Sequence, residues 1–118
     1  MTEKSAQPPL IVEKTANATI ARVQVKLLDE AELKMLGKLI DDAAAGGDSN
    51  LIVIDLAKVQ MLPSLGLGVL VQISQKCRAR SQKLRLAALT PQIRQVFAIT
   101  KLDRVLEITD TVEHALEA

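Results

Sequence analysis

The six residues Leu51-Ile52-Val53-Ile54-Asp55-Leu56 are apolar at five positions. A run this short is a strand length rather than a helix length. It is also too apolar to leave one face in water, so it reads as a strand buried on both faces, in the middle of a sheet covered by helices. The flanks agree. Gly46-Gly47 stops a helical pattern upstream, in which Leu33, Leu36, Leu39 and Ile40 recur at helical spacing, and Asp29 with Glu32 has the spacing of a capping box. Downstream, a second helix is expected from Ser64-Leu65-Gly66 to about Arg80.

The same alternation continues to the end of the chain. Leu84–Leu89 reads as a strand, and Thr90-Pro91 opens a third helix, with Thr at the N-cap and Pro at the first helical position, where its missing N–H costs nothing. Val105–Ile108 is a last strand, and Asp110 with Glu113 caps a short final helix reaching Leu116. At the start, Leu10–Lys14 and Ala18–Lys26 flank a turn at Thr15-Ala16-Asn17 and form an antiparallel hairpin. The expected architecture is α/β: one mixed, mostly parallel sheet of about five strands, with 51–56 central, and four helices. Residues 1–8 are expected to be a flexible arm, and 9–118 the domain.

Composition narrows the function. The chain has 118 residues, enough for one domain with a core that needs no disulfide or metal. Phe97 is the only aromatic residue, which removes the stacking platforms that bind single-stranded nucleic acid. One cysteine, Cys77, and one histidine, His114, cannot build a zinc site of those residue types or a Ser-His-Asp triad. The N-terminus lacks the apolar stretch of a secretory signal, and no run is long enough to cross a bilayer, so a cytoplasmic setting without membrane insertion is expected. No pair of residues forms an acid–base or nucleophile–base combination, so no enzyme and no cofactor are expected.

Charge is segregated along the chain. Residues 57–102 carry eight bases and no acid: Lys58, Lys76, Arg78, Arg80, Lys83, Arg85, Arg94 and Lys101. Either they form a field on one face that draws an acidic partner, or the fold mixes them with the acidic ends of the chain.

Four smaller features have two readings each. Gly66 and Gly68 in the first turns of a helix cost stability relative to alanine, so backbone there approaches a packed strand or a partner. Ser64 is either a helix N-cap or a phosphorylation site facing the positive end of a helix. Met61, Leu62 and Leu65 either tuck under the second helix or make an apolar docking rim. Asp55 is expected to bond a neighbouring loop rather than a ligand, and Cys77 to fill space.

Three stretches together resemble the STAS domain family, the bacterial anti-sigma factor antagonists. They are Leu51–Leu56; Pro63-Ser64-Leu65-Gly66-Leu67-Gly68-Val69-Leu70-Val71; and Leu84–Pro91 with Ile93-Arg94 and Ile99-Thr100-Lys101-Leu102. The resemblance implies a partner switch. An unphosphorylated antagonist binds an anti-sigma factor, often a serine kinase of the GHKL type; phosphorylation of the loop serine breaks the complex, and a phosphatase restores it. It implies Ser64 as the phosphoacceptor and Met61, Leu62, Pro63, Ser64, Leu65 and Gly66 as the partner-binding loop, with no direct nucleic-acid contact. Pro63 stands where the family has an aspartate, Leu65 where it has a hydroxyl residue, and Lys101 where it has a glycine. A proline removes a charge and stiffens the loop, so slow phosphorylation, or none, is expected. Within the same family the chain could instead be a subunit of a lipid-transport complex or signalling scaffold. It could also bind a small ligand or nucleotide through the same loop.

Overall fold

The computed structural model describes residues 8–47 and 49–117; most of the expected arm over 1–8 lies outside them. Five strands form one sheet in the order β1-β2-β3-β4-β5. β1 (Leu10–Lys14) pairs antiparallel with β2 (Ala18–Val23), and β3 (Leu51–Asp55), β4 (Lys83–Ala87) and β5 (Glu107–Thr109) follow in parallel. The central place of β3 is therefore observed. Its Ile52, Val53 and Ile54 are fully buried, because α1 (Glu30–Ala45) and α2 (Ser64–Ala79) cover one face of the sheet and α4 (Val112–Leu116) the other. α3 (Pro91–Thr100) closes the main core with Phe97, which is wholly buried among aliphatic side chains.

The caps that sequence spacing indicated are present at α1 and α3. Asp29 accepts from the Glu32 N–H at 2.8 Å while Glu32 accepts from the Asp29 N–H at 3.2 Å, and Thr90 accepts from the Ile93 N–H with Pro91 next in line. Several boundaries differ from expectation. β2 ends at Val23 and β4 at Ala87, where Ala88 turns left-handed with φ 62°. The last strand begins at Glu107, because Leu102–Arg104 form a 3-10 turn that buries Leu106 ahead of it. The final helix is capped by Thr111, whose hydroxyl accepts from the His114 N–H at 3.0 Å, and not by Asp110, which pairs with Arg94 at 2.8 Å.

Half of the basic stretch, four of its eight bases, is paired with acids. Arg80 and Lys76 both reach Asp41 on α1, Arg85 reaches Glu107, and Arg94 reaches Asp110. The charge that looks segregated in sequence is thus partly interleaved once the helices pack. Cys77 is buried and fills space; burial pushes its thiol above the ordinary range, so it is expected to resist a thiol reagent until the protein unfolds.

Lys101 closes α3 in the left-handed conformation, φ 63° and ψ 19°. A side chain at that geometry costs about 1 kcal/mol that glycine does not incur. Lys101→Gly is therefore expected to raise the melting temperature by a few degrees in a thermal-unfolding scan. A lower melting temperature would mean that the Lys101 side chain stabilises the turn by more than the backbone strain.

Candidate functional site: the loop before the second helix

A parallel sheet directs all its crossovers the same way, so the C-terminal ends of β2 to β5 and the N-termini of all four helices share one end of the molecule. Residues 56–63 cross that end. The loop is rigidly held. The Leu56 N–H donates to the Ala87 carbonyl at 3.0 Å and the Gln60 N–H to the Lys26 carbonyl at 2.9 Å. Val59 is completely buried and pins the loop's middle. Asp55, at the end of β3, accepts from the Ala57 N–H at 2.9 Å and from Arg22 at 2.7 Å, which is the structural role expected of it. The Arg22 guanidinium is held above its ordinary pKa, chiefly by its hydrogen bond to Glu13 and, beyond the opposing effect of burial, by that to Asp55.

The apolar residues of the loop divide between the two readings. Leu62 is half-buried and packs against the main core. Met61 is 64% exposed and Leu65 39% exposed. Met61 also forms an isolated parallel bridge with Leu27, itself 61% exposed. Leu27, Met61 and Leu65 thus make an apolar rim. Leu27 was not legible as part of it, because a lone leucine between a strand and a helix cap carries no signal until the bridge to Met61 is seen.

The two glycines have different reasons. A Cβ on Gly66 would lie 2.5 Å from Leu62 Cδ1 and 3.1 Å from Leu33 Cδ2 and would push these side chains aside, so internal packing accounts for glycine there. A Cβ on Gly68 would meet nothing within 4 Å, and the residue is exposed. Internal packing does not account for Gly68; close approach of an external surface would.

Ser64 is not the N-cap. That position is Pro63, with φ −72° and ψ 169°, and no side chain caps the helix. Ser64 is the first helical residue. It is exposed, and among the described residues its hydroxyl makes no hydrogen bond. The Pro63 carbonyl instead accepts from the Gly66 N–H at 2.8 Å, tightening the first turn. Proline displaces the cap by one residue because it supplies the extended φ of a capping position without a capping side chain. The first turn of α2 also carries no acid, so the positive helix end beside Ser64 is not neutralised by its own side chains.

Comparison with known proteins adds the family. The STAS domain profile matches residues 10–115. A Thermotoga neapolitana protein named "putative anti-sigma factor antagonist TM1081 homolog" is 29% identical over 92 residues, covering 78% of this chain and 81% of that one. The structure of an anti-sigma-factor antagonist (STAS) domain protein from Planctomyces limnophilus superposes with a TM-score of 0.81 at 22% identity, over 94% of this chain and 97% of that one. The Bacillus cell fate determinant SpoIIAA in its phosphorylated form superposes with a TM-score of 0.68 at 20% identity, over 91% and 96% of the two chains. With the profile spanning nearly all of the described sheet and helices, this chain belongs to the STAS domain family.

Proposed function

We propose that the protein is an anti-sigma factor antagonist that acts by binding, not by catalysis. Its docking surface is the rim of Leu27, Met61 and Leu65 around Ser64, and its partner is an anti-sigma factor. The observation that carries the reading is the combination at one end of the fold: exposed apolar side chains, an open helix N-terminus and a free hydroxyl. Apolar rim residues supply the contact energy, since large exposed apolar groups gathered around a polar centre mark protein docking sites.

Ser64 is the switch residue. Its hydroxyl is free, whereas the Thr100 hydroxyl donates to the Val96 carbonyl at 2.8 Å and the Thr90 hydroxyl accepts from the Ile93 N–H. A phosphoryl group on Ser64 would add nearly two negative charges in the middle of the rim. The kinase is an anti-sigma factor of the GHKL type, and a phosphatase resets the protein. Pro63 and Leu65 leave the loop without the polar neighbours of the family pattern, so the transfer is slow. Incubation with the cognate kinase and ATP, followed by phosphate mapping, tests the assignment: phosphate is expected on Ser64. Phosphate on Thr90 or Thr100 with Ser64 bare would overturn it.

Gly68 gives a test of the surface apart from phosphorylation. Gly68→Ala is expected to stabilise α2 by about 0.5–1 kcal/mol, since it replaces glycine in a helix with no clash. It should nonetheless weaken partner binding measured by titration calorimetry, because the added methyl group holds the partner off the helix. Unchanged affinity would place the interface elsewhere.

A further inference from the structure

Among the described residues the sheet has a free edge at β1, and the hydrogen bonds of the hairpin show what that edge offers. The Gln24 N–H donates to the Pro9 carbonyl at 2.9 Å and the Thr15 N–H to the Ala18 carbonyl at 2.8 Å. Bonded and non-bonded pairs alternate along an antiparallel ladder. With Leu10 opposite Val23, Val12 opposite Ala21 and Lys14 opposite Thr19, the bonded pairs are 11–22 and 13–20. Leu10, Val12 and Lys14 therefore turn their N–H and C=O groups outward. No group of the described residues accepts or donates to them.

The side chains above this edge are apolar and uncovered. Leu33, Leu36, Ile40 and Ala44 point α1 into the core, while Lys34, Gly37, Lys38 and Asp41 line its groove against α2. Met35 and Leu39 lie on the remaining flank, away from α2. α1 packs across β2 and β1, so that flank overhangs the edge of the sheet. Met35 is 44% exposed, Leu39 40% and Val12 39%. An open strand beneath an open apolar helix flank is a surface that proteins normally cover.

We propose that a second copy of this chain covers it, by antiparallel pairing of β1 with β1 about a two-fold axis at Val12. The edge is self-complementary in this register, whereas an axis at Ile11 would set Lys14 opposite Pro8, which has no N–H for the Lys14 carbonyl. An axis at Val12 places Leu10 opposite Lys14 and Ile11 opposite Glu13 of the other copy, so no like charges face each other, and all outward N–H and C=O groups of Leu10, Val12 and Lys14 find partners. An axis at Glu13 or Lys14 sets like charges directly opposite, which destabilises a cross-strand pair. An axis at Leu10 sets Val12 against Pro8, which has no N–H to give. The axis at Val12 is perpendicular to the sheet, so both α1 helices stay on one side and their Met35 and Leu39 flanks meet across the seam. The result is a continuous ten-stranded sheet. Its two Ser64 loops face opposite directions, away from the seam, so this inference is independent of the proposed switch.

Val12→Cys tests the register directly. Opposed bonded pairs have Cα atoms about 5.5 Å apart, within disulfide range, and Cys77 is buried, so the new thiol is the one that reacts. Mild oxidation of the purified full chain is expected to yield a covalent dimer at least tenfold faster for Val12→Cys than for Glu13→Cys. Wild-type protein should sediment at twice the mass of the chain at micromolar concentration. Val12→Pro, which removes an outward N–H and no bond of the β1–β2 ladder, should sediment as a monomer with far-UV circular dichroism that keeps the native sheet and helix signal, and Ser64→Asp should remain dimeric. A monomeric wild type, a dimer that survives Val12→Pro, or equal crosslinking at positions 12 and 13 would each overturn the proposal.

Discussion

Ser64→Asp is expected to weaken binding to the anti-sigma factor about 100-fold or more, while Ser64→Ala leaves it intact. Leu65 adjoins position 64, and Met61, bridged to Leu27, lies three residues before it, so docking on this rim removes water from it. A carboxylate buried there has no cationic side chain within the rim, and the positive end of α2 offsets only about 0.3–1 kcal/mol of its burial, so a net cost of about 3 kcal/mol remains. At 1.4 kcal/mol per tenfold change, that is about two decades in affinity. Titration calorimetry with the purified partner checks it. Equal affinities for Ser64→Asp and wild type would remove the loop from the interface. The same pair of variants tests the helix cap. Because the Ser64 hydroxyl bonds to nothing among the described residues, Ser64→Ala should shift stability by less than about 0.5 kcal/mol, whereas loss of a true N-cap costs about 1 kcal/mol.

The largest effect on stability is expected at Arg85. This residue lies on β4, is only 7% exposed, and donates to the Ala115 carbonyl at 2.8 Å, the Glu117 carbonyl at 3.1 Å and the Glu107 carboxylate at 3.1 Å. It ties the last helix and the last strand to the middle of the sheet. α4 has five residues, too short to hold itself together, and its seat on the sheet depends on Val112, Ala115 and this anchor. Arg85→Ala removes the donors and leaves carbonyl groups of the C-terminal segment without them. A loss of about 3 kcal/mol is expected, which lowers the melting temperature by roughly 10 °C in a domain of this size. Arg85→Lys should recover only part of it, because one ammonium cannot reproduce the fork that spans helix and strand. A shift below about 2 °C for Arg85→Ala would mean that water replaces these bonds.

How much of this was legible in the amino-acid order differs element by element. The run 51–56 announced the buried central strand, and the Asp29/Glu32 and Thr90-Pro91 pairs announced two helix starts, because each of these signals is satisfied within a few residues of itself. Asp110 misled because its spacing to Glu113 imitates a cap, while the Arg that claims it, Arg94, lies sixteen residues away in sequence. The basic stretch left two readings open for the same reason: Asp41, Glu107 and Asp110 pair with Lys76, Arg80, Arg85 and Arg94 only after helices and strands have packed.

The site divides along the same line. Local chemistry determined that a loop with Met61, Leu62, Pro63 and Ser64 precedes a glycine-rich helix, since turn residues and helix propensities act over one or two turns of chain. Only the tertiary structure decided which of those side chains faces water. Leu62 turns inward because Gly66 and Leu33 leave room for it, and Met61 stays outside because its strand-like bridge is to Leu27, thirty-four positions earlier. Exposure is a property of what packs against a residue, and the residues that pack here come from distant parts of the chain. The sequence alone therefore determined the fold class and the loop, while the packing of α1, α2 and the sheet decided the rim, the free hydroxyl of Ser64 and the open edge of β1.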